Sequence, residues 1–85
     1  MDSEKIKSLC AVVETGSMSE AARMLYCSQP AVTKHIAALE SEFGVKIFQR
    51  EGKRLLLTEA GRRIHAFGSR FLDDYQQLQQ SEQDE

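Results

Sequence analysis

The chain has 85 residues, of which 41% are hydrophobic and 28% charged, and this length limits it to one small domain. Its apolar runs are too short to cross a bilayer, and the N-terminal sequence MDSEKIKS lacks the basic flank and apolar core of a secretory signal. We therefore expect a cytoplasmic protein that makes no membrane contact.

The cysteine content argues against metal and redox chemistry. Cys10 and Cys27 are expected to be reduced in the cytoplasm, and both have apolar neighbours, so each is expected to fill the core as a small hydrophobe. Their spacing to His35 and His65 matches no metal-ligand pattern. We expect no metal site and no cofactor.

The formal net charge of −2 opposes nucleic-acid binding when it is taken alone. The charge is unevenly distributed, however, because residues 16–71 contain nine basic and five acidic residues. Electrostatic fields act over a Debye length of about 8 Å at physiological salt, so a basic face can act locally while acidic ends set the overall sign. The charge pattern therefore permits a nucleic-acid partner.

The first predicted helix is capped at its start by Asp2 or Ser3. It ends before Gly16, because the residue that follows a helix often adopts a left-handed conformation, which glycine does readily. Its apolar residues have helical spacing: Ile6, Leu9, Cys10 and Val13. A short second helix follows at once, because Ser17 and Glu20 have the spacing of a capping box. This helix runs through Ala21, Ala22 and Leu25 and leads into a tight connection at Tyr26 and Cys27.

A third helix is predicted over residues 28–43, with Ser28 as its N-cap, Pro30 in its first turn and Gly44 after its end. One face is apolar and predicted to be buried: Val32, Ile36, Leu39 and Phe43. The opposite face begins with short hydrogen-bonding side chains rather than the charges of an ordinary solvated face. Its residues are Gln29, Pro30, Thr33 and Lys34.

The next segment is predicted to form a small hairpin, with strands at residues 45–50 and 53–58 around a turn at Glu51 and Gly52. Thr58 can cap a fourth helix that runs from about residue 59 towards 80. Its apolar residues form one stripe that is longer than the rest of the chain can cover: Ile64, Phe67, Phe71, Tyr75 and Leu78. A homodimer through this helix is the simplest cover.

Two helices joined by a tight turn, a helix packed behind them and a hairpin after them together predict a winged helix-turn-helix. In that fold the second motif helix enters the major groove of DNA with its N-terminal end first, so Gln29, Thr33 and Lys34 can meet base edges. Pro30 can contact a thymine methyl group, but the preference for proline in the first turn of a helix explains its presence equally well. Backbone contacts are expected from the wing and the helix starts: Ser17, Met18, Ser28, Arg50, Lys53 and Arg54.

Several motifs together resemble the N-terminal DNA-binding domain of LysR-type transcriptional regulators. They are GS-x-x-x-AA at residues 16–22, SQPAV at 28–32, ALE at 38–40, GV-x-I/L-F-x-R at 44–50 and LTEAG at 57–61. The resemblance spans residues 6–80. It implies a mainly α fold, with three helices and a two-stranded wing over residues 1–58 and a linker and dimerisation helix over 59–80. The residues at 81–85 are polar and acidic, so we expect a frayed tail there.

The resemblance also implies sequence-specific binding of a double-stranded DNA operator, as a dimer on an interrupted inverted repeat. Positions matching Gln29, Pro30, Thr33 and Lys34 read the sequence, while Arg50 and the Lys53-Arg54 pair supply wing contacts. Thr33 and Lys34 stand where the family more often has Ser and Arg. The lysine ammonium group cannot make the two parallel hydrogen bonds of an arginine guanidinium, which argues against bidentate reading of guanine by Lys34. The effector domain of such regulators is absent from these 85 residues, so a small-molecule effector is expected only for that missing part.

Two other function classes are alternatives to this one. No phosphate loop, nucleophile-base pair or metal set can be assembled from the chain, so we do not expect an enzyme. His35 follows the polar patch and is expected to be exposed. The second alternative is a winged-helix module for protein association or dimerisation without DNA readout, in which the stripe of the fourth helix is the functional surface.

Overall fold

The computed structural model describes residues 1–83, which form a helix-turn-helix, a wing and a long helix. The elements are α1 (Ser3–Thr15), α2 (Met18–Met24), α3 (Gln29–Phe43), β1 (Phe48–Glu51), β2 (Arg54–Leu57) and α4 (Glu59–Gln83). The two strands pair antiparallel, with Glu51 opposite Arg54 and Phe48 opposite Leu57. The predicted mainly α winged helix-turn-helix followed by a long helix is confirmed.

The helix ends follow the predicted capping residues. The Asp2 carboxylate accepts a hydrogen bond from the N–H of Glu4 at 2.9 Å, and this bond holds the pKa of Asp2 below its usual value. Ser28 accepts from the N–H of Ala31 at 3.2 Å, and Thr58 accepts from the N–H of Gly61 at 2.9 Å. The starts of α1, α3 and α4 are therefore set by local sequence.

The capping box predicted at α2 is only half formed. The Ser17 hydroxyl accepts from the N–H of Glu20 at 3.2 Å, as expected. The Glu20 carboxylate does not return to Ser17 and instead pairs with Arg23 at 3.0 Å. The reason is that the hydroxyl of Thr15, at the end of α1, already accepts the N–H of Ser17 at 3.3 Å.

A single apolar core lies where α1, α2 and α3 meet the base of the wing. Its largest fully buried side chains are Ile6, Leu9, Val12, Val32, Leu39 and Ile47. The start of α4 closes this core through Gly61, where an added Cβ would collide with the carbonyl oxygen of Ile47. A larger residue at 61 would therefore push α4 away from the wing.

The connection between α2 and α3 differs from the sequence expectation. Tyr26 adopts a left-handed conformation with φ 57° and is 97% exposed, and Cys27 behind it is exposed too. The prediction that both cysteines fill the core is wrong for Cys27, because the left-handed turn carries it away from the core. Cys10 is half-buried, and this burial raises the pKa of its thiol.

His35 and the end of α4 also differ from expectation. His35 is partly buried rather than exposed, because its Nδ1 lies 2.6 Å from the hydroxyl of the buried Ser8. The last helix continues to Gln83, three residues past its predicted end, since its final residues are glutamines, a serine and a glutamate, which mostly favour helix. Residues 84 and 85 of the predicted tail lie outside the described residues. Within residues 1–83 no helix is long and apolar enough to span a bilayer.

Candidate nucleic-acid interface

The wing and the starts of α2 and α3 enclose a polar concavity of about 330 Å³, here called the wing cleft. Its lining residues are Gly16, Ser17, Met18, Ser19, Gln29, Arg50, Lys53 and Leu55. Five residues predicted to bind DNA therefore come together, although they are drawn from three separate elements of the chain. Residues 1–83 contain no acidic side chain paired with either cation of the cleft.

The start of α3 presents the polar patch outward. Ser28 is the cap, and the patch residues Gln29, Pro30, Thr33 and Lys34 are all exposed. The other face of the helix is held in the core by Val32, Ile36 and Leu39, which are at most 3% exposed. No other part of the described chain covers the patch, so it is free to meet a ligand.

Two side chains of the patch are hydrogen-bonded to each other. Gln29 donates from Nε2 to the Oγ1 of Thr33 at 2.9 Å, across one turn of α3. Residues four apart lie on the same face of a helix, which is why this contact forms. The bond fixes a long side chain that would otherwise sample several rotamers.

The wing residues do not all lie in one place. Arg50 and Lys53 line the wing cleft, whereas the guanidinium of Arg54 rests on Gly16, where an added Cβ would lie 2.7 Å from its Cζ. Gly16 has φ +73°, and its carbonyl accepts the N–H of Leu55 at 3.0 Å. Strand β2 is thus docked on the turn after α1, and Arg54 lies by the negative end of that helix dipole.

Sequence reasoning missed Ser19 as a member of the wing cleft. Its hydroxyl is exposed and lies 3.1 Å from that of Ser17. The available signal was its position in the first turn of α2, two residues after the N-cap. Ser17 and Ser19 together present two hydroxyl groups opposite Arg50 and Lys53.

The predicted stripe on α4 divides into two parts. Ile64 packs against the core of its own chain, as Phe71 does in part. The far part forms an open groove of about 370 Å³ lined by Phe67, Arg70, Phe71, Asp74, Tyr75 and Leu78, here called the α4 groove. Phe67 and Leu78 are 57% and 61% exposed, so residues 1–83 leave this groove uncovered.

Comparisons with known proteins agree with this fold. The family model described as "Bacterial regulatory helix-turn-helix protein, lysR family" matches residues 3–62. An uncharacterized HTH-type transcriptional regulator in the ibpB-leuC intergenic region of Azotobacter vinelandii is 50% identical over 64 residues, which cover 75% of this chain and 44% of that protein. The HTH-type transcriptional regulator CysB of Burkholderia cenocepacia is 49% identical over 69 residues, which cover 80% of this chain and 22% of that protein.

A solved structure is similar over nearly the whole chain. The crystal structure of a CbnR_DBD-DNA complex has a TM-score of 0.88 and 31% identity, and the match covers 98% of this chain and 95% of that one. The chain spans less than half the length of the two curated relatives. It belongs to the lysR family of bacterial regulatory helix-turn-helix proteins, and it is a winged helix-turn-helix DNA-binding domain of that type.

Proposed function

We propose that α3 enters the major groove of an operator and reads base edges with its exposed start, while the wing holds the sugar-phosphate backbone. The observation that carries this proposal is the joint placement of the exposed patch of α3 and the unpaired cations Arg50 and Lys53 beside one cleft, among the described residues. Similarity to a chain crystallised in a DNA complex supports DNA as the ligand.

The polar patch and the wing cleft have different tasks in this proposal. Gln29, Thr33 and Lys34 contact base edges, and the ring of Pro30 packs on a thymine methyl group. Phosphates are bound by the hydroxyl groups and backbone N–H groups at the helix starts and by the wing cations, which supply affinity rather than sequence choice. These phosphate contacts come from Ser17, Met18, Ser28, Arg50, Lys53 and Arg54.

Two copies of the chain pair through the α4 groove in the proposed complex. Exposed Phe67, Tyr75 and Leu78 lie together there, and pairing would remove them from water. A twofold dimer would present two copies of α3 to major grooves about one helical turn apart, or a multiple of it, which suits an interrupted inverted repeat. Residues 1–58 are then the DNA-reading unit, and residues 59–80 are the linker and dimerisation helix.

The chain spans less than half the length of the two curated relatives, which supports a proposal that further functions belong to a longer protein. We propose that the domain serves a transcriptional regulator, not an enzyme, in the cytoplasm where a bacterial chromosome is accessible. A small-molecule effector would bind a part of the regulator beyond these residues. Within residues 1–83 no group of three or more metal-ligand side chains is assembled, and the proposal requires no metal and no cofactor.

The test replaces Gln29, Thr33 and Lys34 together by alanine. Alanine favours helix, so α3 is expected to persist. The variant should lose selective binding to duplexes enriched from a random pool by the unmodified chain, and should still dimerise in sedimentation. Ser41→Ala, exposed at the other end of α3, is the control and should bind as before. Unchanged DNA binding by the triple variant would refute the proposal and favour a protein-association module.

A further inference from the structure

We infer that Thr33 orients the amide of Gln29 so that the pair selects adenine, and against guanine, at one base pair of each half-site. This inference rests on the proposed DNA-binding function and goes beyond it by naming a base and a positioning residue. It starts from the hydrogen bond that Gln29 Nε2 donates to Thr33 Oγ1 at 2.9 Å.

This hydrogen bond determines which donors and acceptors of the Gln29 amide remain available to a base. A glutamine side chain has two N–H donors and one carbonyl acceptor. One donor is used on Thr33, so one donor and one acceptor are left for a base. Adenine presents the complementary pair in the major groove, because N7 accepts and the N6 amino group donates.

Guanine does not match the remaining groups. Its N7 and O6 are both acceptors, so a glutamine needs two donors to bind both atoms. The amide held by Thr33 has only one donor left, and its carbonyl oxygen would face O6. Bidentate recognition of guanine therefore requires that the bond between Gln29 and Thr33 be broken, and a single remaining bond would be weaker.

The position of Gln29 beside the wing supports this orientation of the amide. Among the described residues, Gln29 lines the wing cleft together with the unpaired cations Arg50 and Lys53, whereas Thr33 lines the separate groove between α3 and the wing. The one cation of residues 1–83 that lines that groove, Lys46, is paired with Glu40 at 3.9 Å. A carbonyl oxygen is stabilised on the side of the two cations, and an N–H group is stabilised on the side of the hydroxyl. The reversed amide would place its N–H groups toward the positive charges.

The experiment selects duplexes from a random pool with the 85-residue chain and four variants. Gln29→Ala locates the base pair that Gln29 reads, since the preference should disappear there and persist elsewhere. The unmodified chain should select adenine over guanine at that pair. Thr33→Val keeps a β-branched side chain but removes the acceptor, and should reduce this preference about tenfold, which is within the range for one bidentate contact.

Thr33→Ser is the matched control, because it keeps the hydroxyl and should keep the adenine preference. Circular dichroism establishes that the variants are folded, and Thr33→Ala removes the same acceptor should Thr33→Val unfold. Selection of guanine by the unmodified chain, or an adenine preference that survives loss of the Thr33 hydroxyl, would overturn the inference alone. Failure of the unmodified chain to enrich any duplex would overturn the proposed function itself.

Discussion

The hydroxyl of Ser8 lies 2.6 Å from Nδ1 of His35 and joins the middle of α1 to the reading helix α3. Ser8 is 1% exposed, so its hydroxyl depends on this partner, whereas the partly buried imidazole retains access to water. A buried hydroxyl without a partner destabilises a fold by its full desolvation cost. The pair therefore helps to hold α3 against α1.

Replacing His35 by alanine should lower the free energy of unfolding by about 1–3 kcal/mol, because Ser8 is left unpaired. Ser8→Ala should cost less, about 0.5–1.5 kcal/mol, since His35 can turn to solvent. The double variant should lose less than the sum of the two, because the unpaired hydroxyl is then gone. Urea denaturation of the unmodified chain, the two single variants and the double variant measures this coupling. Losses in the free energy of unfolding that simply add in the double variant would contradict it.

The helices and their starts could be predicted because local sequence determines them. Asp2, Ser28 and Thr58 cap the helices within a few residues of their own positions. Helical spacing identifies three of the four residues predicted for the buried face of α3, but Phe43, in its last turn, is 42% exposed. The outward placement of Gln29 and Thr33 follows from that same spacing, so the patch was predictable too. Prediction was most successful for helix caps and helix faces set by neighbouring residues, although the capping box between Ser17 and Glu20 is only half formed.

Contacts between distant residues could not be predicted from the sequence. Ser8 and His35 are separated by 27 positions, and no local pattern pairs them. The location of Arg54 depends on how β2 docks on Gly16, whereas its neighbour Lys53 lines the wing cleft. Cys27 was placed in the core because its neighbours are apolar, but the backbone of Tyr26 reverses the direction of the chain there.

Tyr26 offers a test of backbone strain, because it is left-handed at φ 57° and 97% exposed. Asparagine tolerates this conformation better than a bulky residue, so Tyr26→Asn should stabilise the chain by about 0.5–1 kcal/mol. Tyr26→Phe keeps the strain and removes only the hydroxyl, and its free energy of unfolding should be unchanged. Equal shifts in both variants would mean that the hydroxyl, not the backbone, sets the stability at this position.

The α4 groove predicts where association can be weakened without unfolding the monomer. Leu78 is 61% exposed and should tolerate glutamate in the monomer, whereas a buried charge in the dimer would raise the dissociation constant at least about tenfold. Gln76→Glu introduces the same charge at an exposed residue that does not line the groove, so it should leave the dimer intact. Sedimentation equilibrium measures both. An unchanged dissociation constant for Leu78→Glu would show that the α4 groove is not part of the dimer interface.

The wing should contribute affinity without sequence choice, and Lys53 is the clearest place to measure this. Lys53→Ala should weaken binding on every duplex and reduce the slope of log K against log salt by about 0.9 for each phosphate that the side chain neutralises. Arg54→Ala is the comparison, because Arg54 does not itself line the wing cleft and its guanidinium contacts Gly16, which does. It should lower affinity about equally across sequences, and by less than Lys53→Ala. Fluorescence anisotropy over a salt series measures both effects. If either variant lost affinity only for duplexes with a particular base pair at one position, the wing would be reading sequence.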